Sequence, residues 1–142
     1  HAQSKEELKA VTALRFQVFV KEQDVPPELE QDALDATAFH AIALKSGQVV
    51  GTGRLIPHVS SDGILIGVIG RMAVNKPLRR QGVGANLLAF LEQEARSRGI
   101  QRITLHAQAY VKDFYARHGY WADGQPFLEA GIQHIQMTKD LS

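Results

Sequence analysis

One helix-forming run limits the folds open to this chain. Leu87, Leu88, Leu91 and Ala95 fall on a single face at helical spacing, Arg96 and Arg98 suit the last turn, and Gly99 supplies the stop. A β-branched strand from Ile64 to Val74 precedes this run, and a short strand on which Ile103 and Leu105 alternate follows it. A helix held between strands must cover a sheet, so a layered α/β arrangement follows.

The flanks extend the pattern. Ser4-Lys5-Glu6-Glu7 has the form of a capping box, and Leu8, Val11, Leu14 (or Arg15) and Val18 recur at helical spacing to about Phe19. The acidic segment from Lys21 to Asp35 reads as surface, with a short helix starting at Pro27 or Glu28. Ala38 to Leu44 and Val49 to Ile56 read as strands joined by a turn at Lys45-Ser46-Gly47-Gln48, which with Ile64 to Val74 suggests an antiparallel meander. Gly67 and Gly70 inside the third strand mark a bulge or a close approach of another backbone or a ligand. Val111 to His118 fits a helix ending at Gly119, and strands near Tyr120-Trp121 and from Ile132 to Thr138 close the chain. The order predicts an α/β (α+β) fold with a mixed sheet rather than a doubly wound one, in a single domain over residues 1–142.

Between strand and helix stands Pro77-Leu78-Arg79-Arg80-Gln81-Gly82-Val83-Gly84-Ala85. Unpaired N–H groups at a helix start carry the positive end of the helix dipole, so this loop reads either as a phosphate cradle or as a plain turn with solvated arginines. Two nucleotide motifs fail. A P-loop needs Gly-Lys-Ser/Thr, where Gly84 is followed by Ala85-Asn86; a dinucleotide fingerprint needs a third glycine, where Leu87 stands.

The segment "RMAVNKPLRRQGVGANLL", with Arg79, Gly82 and Gly84 in an R-x-x-G-x-G pattern, resembles the acetyl-CoA-binding signature of the GCN5-related N-acetyltransferase (GNAT) superfamily. Phe114-Tyr115-Ala116-Arg117-His118-Gly119-Tyr120 is similar to that family's later F-Y-x-x-x-G-F block. "RFQVFVKEQDVP" and "FLEAGIQHIQMTKDL" resemble a subgroup of small, mostly uncharacterised bacterial members, so the likeness covers nearly the whole chain. The resemblance implies a GNAT acyl-CoA N-acyltransferase fold with splayed central strands and flanking helices, and transfer of acetyl from acetyl-CoA to a primary amine by direct attack. It also leaves a non-catalytic acyl-CoA-binding or regulatory module as the alternative. Met72, Ala73 and Val74 would offer backbone hydrogen bonds to the pantetheine arm; the amides from about Arg80 through Gln81, Gly82, Val83 and Gly84 to Ala85 would hold the pyrophosphate, with Arg79 and Arg80 near its charge. Gln108 would hydrogen-bond the cofactor or cap its strand, and Tyr115 would be the general acid for the departing thiolate. The family's first strand would precede the opening helix, so here it is very short or lost upstream of Ser4.

The general base is the gap. Many relatives carry Glu just before the R-x-A/C-V sequence, whereas this chain has Gly70 before Arg71. Glu22, His40, His106, Glu129 and His134 are the alternatives, directly or through a water. The acidic run from Glu22 to Asp35 stands where the family often builds its acceptor wall, which suggests a basic, amine-bearing acceptor by charge complementarity.

Composition excludes other classes. With 16 Lys+Arg against 15 Asp+Glu, no long-range field favours nucleic acid or an anionic membrane, and the basic group of Arg71, Lys76, Arg79 and Arg80 suits the phosphates of a small cofactor. The chain has no cysteine, and its six histidines lack close ligand spacing, so no metal is expected. No apolar run approaches the roughly 18 residues of a membrane span. A cytoplasmic protein, monomer or homodimer, with a small-molecule or peptide amine as acceptor, is the expectation.

Overall fold

The computed structural model describes residues 2, 4–30 and 32–141. Helix α1, Lys5–Arg15, starts on the capping box, with Ser4 Oγ accepting from the Glu7 N–H and the Glu7 carboxylate accepting from the Ser4 N–H. The helical path does not stop near Phe19 as expected but widens into π-type turns over Phe16–Glu22. Those extra turns carry Glu22 and Gln23 out over the sheet. Helix α2, Pro27–Glu30, follows where proline predicted it.

Strands β1, Phe39–Lys45, and β2, Gln48–Val59, form a hairpin around Ser46 and Gly47, both at positive φ (53° and 80°), the backbone of a type I′ turn. Strand β3, Leu65–Val74, pairs antiparallel with β2 and completes the meander. Helix α3, Val83–Ser97, then returns the chain to β4, Arg102–Gln108, which lies parallel to β3. A 3-10 turn over Ala109–Val111 leads into helix α4, Lys112–Ala116, shorter than the span from Val111 to His118. Strand β5 holds only Trp121–Ala122, with Tyr120 before it buried in the core. Strand β6, Phe127–Glu129, was not anticipated from the sequence; it forms a hairpin with β7, Ile132–Asp140. The sheet order is β1-β2-β3-β4-β7-β5, with β6 also on β7.

Two faces are covered differently. Leu87, Leu88, Leu91 and Ala95 of α3 bury against Leu55, Ile69, Ile103, Leu105 and Met137, the main core. Gly67 permits this closeness, because a Cβ there would stand 2.8 Å from Leu55 Cδ1 and 3.0 Å from Ile103 Cδ1. On the opposite face, Leu14 and Val18 pack on Ala73, so α1 covers β2 and β3. On β4 and β7 that face carries His106 and His134, and the Phe127 ring of β6 stacks on His134.

The expected first strand falls partly on residues outside those described. Ala2 is buried, and its N–H donates to the His40 carbonyl at 2.8 Å.

Candidate active site

The sheet parts in the middle. β3 and β4 pair from Ile66/Arg102 to Ile69/Leu105 and no further; beyond that point β3 stays with β2, and β4 stays with β7. The gap that opens lies between Gly70–Val74 and His106–Gln108. A bulge helps open it. Thr52 pairs with Ala73 and Arg54 with Gly70, so Gly53 faces both Arg71 and Met72, and Arg71 takes φ 53°. Met72 and Val74 turn toward the main core, Ala73 toward α1.

The wide end of the gap meets the start of α3. Arg80 (φ 65°) and the N-cap Gly82 (φ 87°) take left-handed conformations. The first intrahelical bond runs from the Asn86 N–H to the Gly82 carbonyl, which leaves the amides of Val83, Gly84 and Ala85 ahead of the ladder. Successive free N–H groups in such a concave turn, at the positive end of a 15-residue helix, form an anion cradle. No side chain caps it. A Cβ at Gly84 would lie 3.5 Å from the Phe114 ring, so anything much larger would crowd α4. Gln81 reaches back to the Pro77 carbonyl at 3.3 Å and braces the loop.

Arg79 does not project freely. Its Nε donates to the Val74 carbonyl at 2.9 Å, and its two terminal nitrogens grip both oxygens of Glu22 at 2.8 and 2.9 Å. Glu22 is thereby held as an ion-pair partner. The next residue spans the other side: Gln108 Nε2 donates to Gln23 Oε1 at 2.7 Å, and Gln23 Nε2 donates to the Tyr110 hydroxyl at 3.1 Å. One dipeptide at the end of the π-type turns thus ties both lips of the gap together. The sequence reading overlooked Gln23, and nothing local marks it.

Tyr115 lies on the α3 side, buried, edge-on to Phe114 and Tyr120 at ring separations of 5.0 and 5.8 Å. Its hydroxyl makes no hydrogen bond with any described residue. Burial, and next the nearby Tyr110, push its pKa up to about 12, so the phenol keeps its proton at neutral pH.

On the other face the acidic segment is not a simple surface wall. Glu30 is buried against the Arg15 guanidinium, which also binds Asp35 at 2.7 Å. Arg54 holds Asp32 and Asp35, each at 2.8 Å, and Arg71 donates to the carbonyls of Glu30 (2.9 Å) and Leu29 (3.3 Å) and approaches Asp32 at 3.4 Å. Burial alone raises the Asp35 carboxyl, but the hydrogen bonds and charges of Arg15 and Arg54 outweigh it and hold the group well below the carboxylate range. Every one of the carboxylates Glu22, Glu30, Asp32 and Asp35 has an arginine partner. Asp24 and Glu28 of the same segment stay exposed, so the negative charge open to a basic acceptor is smaller than the six acids of the run suggest.

His40 belongs to this cluster, with Nε2 donating to the Asp35 carbonyl at 2.9 Å, on β1, two strands from the gap. His134 is buried on β7 beside Gln108. Its Nδ1 donates to the Ile132 carbonyl at 2.7 Å, its ring stacks on Phe127, and its Nε2 stands 3.7 Å from Glu129. The other Glu129 oxygen is 3.0 Å from Nδ1 of His106, itself edge-on to Phe127 at 5.0 Å. Three of the sequence candidates are thus gathered into one group, while Glu22 and His40 stand apart. Phe127 holds the group together. A signal for its hairpin was present in Ala130-Gly131, both at positive φ, between the alternating residues of β6 and β7.

Comparison with known proteins agrees with this architecture. The family described as acetyltransferase (GNAT) domain matches residues 3–141. The chain is 39% identical over 140 residues to an uncharacterised N-acetyltransferase, YjcF, of Bacillus subtilis, covering 98% of this chain and 96% of the relative. Among solved structures, a putative N-acetyltransferase from Lactobacillus plantarum superposes with a TM-score of 0.86 at 30% identity, covering 98% of this chain and 94% of that one. An acyl-CoA N-acyltransferase from Pseudomonas aeruginosa superposes with a TM-score of 0.84 at 34% identity, covering 96% and 92%. An aminoglycoside 6′-N-acetyltransferase complexed with coenzyme A shares the fold at 19% identity, with a TM-score of 0.78 and coverage of 98% and 93%.

Proposed function

Because the chain belongs to the GCN5-related N-acetyltransferase superfamily, we propose that it transfers acetyl from acetyl-CoA to a primary amine by direct attack in a ternary complex. The single observation that carries this reading is the parting of β3 and β4 after Ile69 and Leu105, with the uncapped start of α3 at the wide end of the gap.

The parts divide the work by position. The free amides of Val83, Gly84 and Ala85, with the loop from Arg80 through Gln81 to Gly82, suit a pyrophosphate, and Arg80 adds charge beside it. The β3 edge along Met72, Ala73 and Val74, which β4 leaves unpaired, presents backbone groups to an extended pantetheine arm. Gln108 faces that edge from β4 once Gln23 releases it. Acetyl-CoA supplies an activated acyl carbon. Tyr115, a protonated phenol whose hydroxyl has no hydrogen-bond partner among the described residues, would give a proton to the leaving sulfur. The acceptor amine enters over the opposite face, beside His106 of β4.

Thiol release from acetyl-CoA with a panel of primary amines, alongside thermal shift by coenzyme A, tests the reading. Coenzyme A raises Tm by mass action, and at least one amine accelerates thiol release. Tyr115→Phe lowers kcat about a hundredfold. Binding without amine-dependent turnover would favour the acyl-CoA-binding module; a Tm indifferent to coenzyme A would overturn both.

A further inference from the structure

From the place of His106 at the gap we infer that this imidazole is the general base of the reaction, oriented by Glu129 and backed by buried His134; this rests on the transfer reading above. It supplies from β4 what Gly70 does not supply from β3.

Register places the residue. Ile69 and Leu105 are the last paired residues of β3 and β4, and both side chains enter the main core. Side chains alternate along a strand, so the next positions, Gly70 and His106, both face the opposite side, the side assigned above to the acceptor. They stand at the apex of the gap. An arm threaded from the start of α3 can advance no further than this, because here the strands close. A Cβ at Gly70 would meet nothing within 4 Å, so the floor beside His106 is open.

The hydrogen bonds set the tautomer. A carboxylate only accepts, so the 3.0 Å contact to Glu129 makes Nδ1 of His106 the donor and leaves Nε2 of the neutral ring with its lone pair. Phe127 packs edge-on against the ring and limits its rotation. Behind them, His134 has Nδ1 committed to the Ile132 carbonyl, and its Nε2 lies 3.7 Å from the second Glu129 oxygen, so the ring flanks the carboxylate without a hydrogen bond to it. The His134 side chain is 8% exposed and that of His106 43%, so the outer ring is the one an acceptor can reach. Base and orienting carboxylate have the relation that nucleophile-activating histidines share. No group of three His, Asp or Glu side chains among the described residues is arranged to hold a metal ion.

The step balances as follows. The acceptor ammonium gives one proton to Nε2 of His106, and the freed nitrogen lone pair forms the C–N bond to the acyl carbon. The C–S bond breaks with its electrons on sulfur, and the thiolate takes the proton of Tyr115. The second amine proton is lost as the amide forms and restores the tyrosine. The imidazolium then releases its proton to water, so the products are amide, coenzyme A thiol and one proton. The charged and titratable neighbours of His106 are Glu129 from β6 and His134 from β7. Asp123, bound to its cross-strand partner Gln136, stands near, and across the gap are Arg71 and Arg54, already held by Asp32.

His106→Gln, His106→Ala and Glu129→Ala in the full chain provide the test, with an amine that the parent uses. His106→Gln lowers kcat/KM about a hundredfold or more while the thermal shift by coenzyme A stays at the parent level. Added imidazole restores part of the His106→Ala loss, and the acid limb of the parent pH profile is absent from His106→Gln. In the free protein, imidazole 15N signals show His106 as the Nδ1–H tautomer, and Glu129→Ala shifts the balance toward Nε2–H. Parent-level kcat/KM in His106→Gln, or an Nε2–H tautomer in the parent, overturns the assignment. A parent that binds coenzyme A but acetylates no amine sinks the transfer reading itself, and the base with it.

Discussion

Gly70 and His106 face one another across the sheet at the first step beyond its last β3–β4 pair, Ile69 and Leu105. One strand has no side chain at the apex of the gap, and the other presents an imidazole backed by a carboxylate. The two positions are alternative places from which a base can reach the same point.

Gly70→Glu tests that equivalence. Gly70 has no left-handed backbone and no atom within 4 Å of a Cβ, so the substitution is expected to cost less than about 1 kcal/mol by chemical denaturation. Introduced into His106→Gln, it recovers activity at least about tenfold. Steady-state kinetics of the double variant gives the answer; recovery no greater than in Gly70→Ala with His106→Gln would count against a shared point of action.

Glu22 competes with an anion for Arg79. Both terminal nitrogens of the guanidinium are engaged with the carboxylate, in a partly exposed pair. Glu22→Gln weakens that grip, and affinity for coenzyme A rises about two- to fivefold, the range of an exposed ion pair. Calorimetric titration at low salt measures it. Unchanged or weaker binding would mean that Arg79 serves only to brace the Val74 carbonyl.

Polycationic acceptors gain no advantage. Glu22, Glu30, Asp32 and Asp35 are all paired with arginine, which leaves Asp24 and Glu28 as the exposed acids of the wall among the described residues. Polyamines and lysine-rich peptides are expected to match simple monoamines in kcat/KM within about tenfold, with little dependence on salt between roughly 50 and 300 mM. A steep salt dependence confined to polycations would show an acidic surface that this pairing does not provide.

The buried arginine cluster sets the acid limit of stability. Asp35 has its ordinary value of 3.8 lowered, the pull of Arg15 and Arg54 exceeding the opposing effect of burial. A depressed carboxyl contributes stability that is full above its unfolded value and is lost as pH falls through the lower folded value. Tm therefore declines below about pH 4, and Asp35→Asn flattens that decline while lowering stability at pH 7. Arg15→Met, which strands Glu30 in the interior, costs about 3–5 kcal/mol in urea unfolding.

Tyr115 resists ionisation. Burial and Tyr110 raise it to about 12, Tyr120 is raised by burial and Glu92, and Tyr110 is raised by burial, so absorbance titration near 295 nm detects fewer tyrosinates below about pH 11 than the three tyrosines would give free in water. Tyr115→Phe leaves the spectrum below pH 11 unchanged.

The sequence by itself determined most of the elements and the glycine loop ahead of α3, because those features are local. The capping box at Ser4, the turn at Ser46-Gly47, the α3 face ending at Gly99 and the loop through Gly82 each depend on residues within a few positions. Helical spacing could not show that α1 would widen into π-type turns, and the three residues of β6 are too few to show an alternation of their own. The tertiary structure alone decided who partners whom. Glu22 and Arg79 lie 57 positions apart, and Arg54 meets Asp35 19 positions away. His106, Glu129 and His134 come together only because β4, β6 and β7 lie side by side in one register. A carboxylate's charge is visible in a sequence, but whether it faces solvent, an arginine or an imidazole depends on the register of distant strands. That register gave Glu22, Glu30, Asp32 and Asp35 their arginines and set Glu129 beside two histidines.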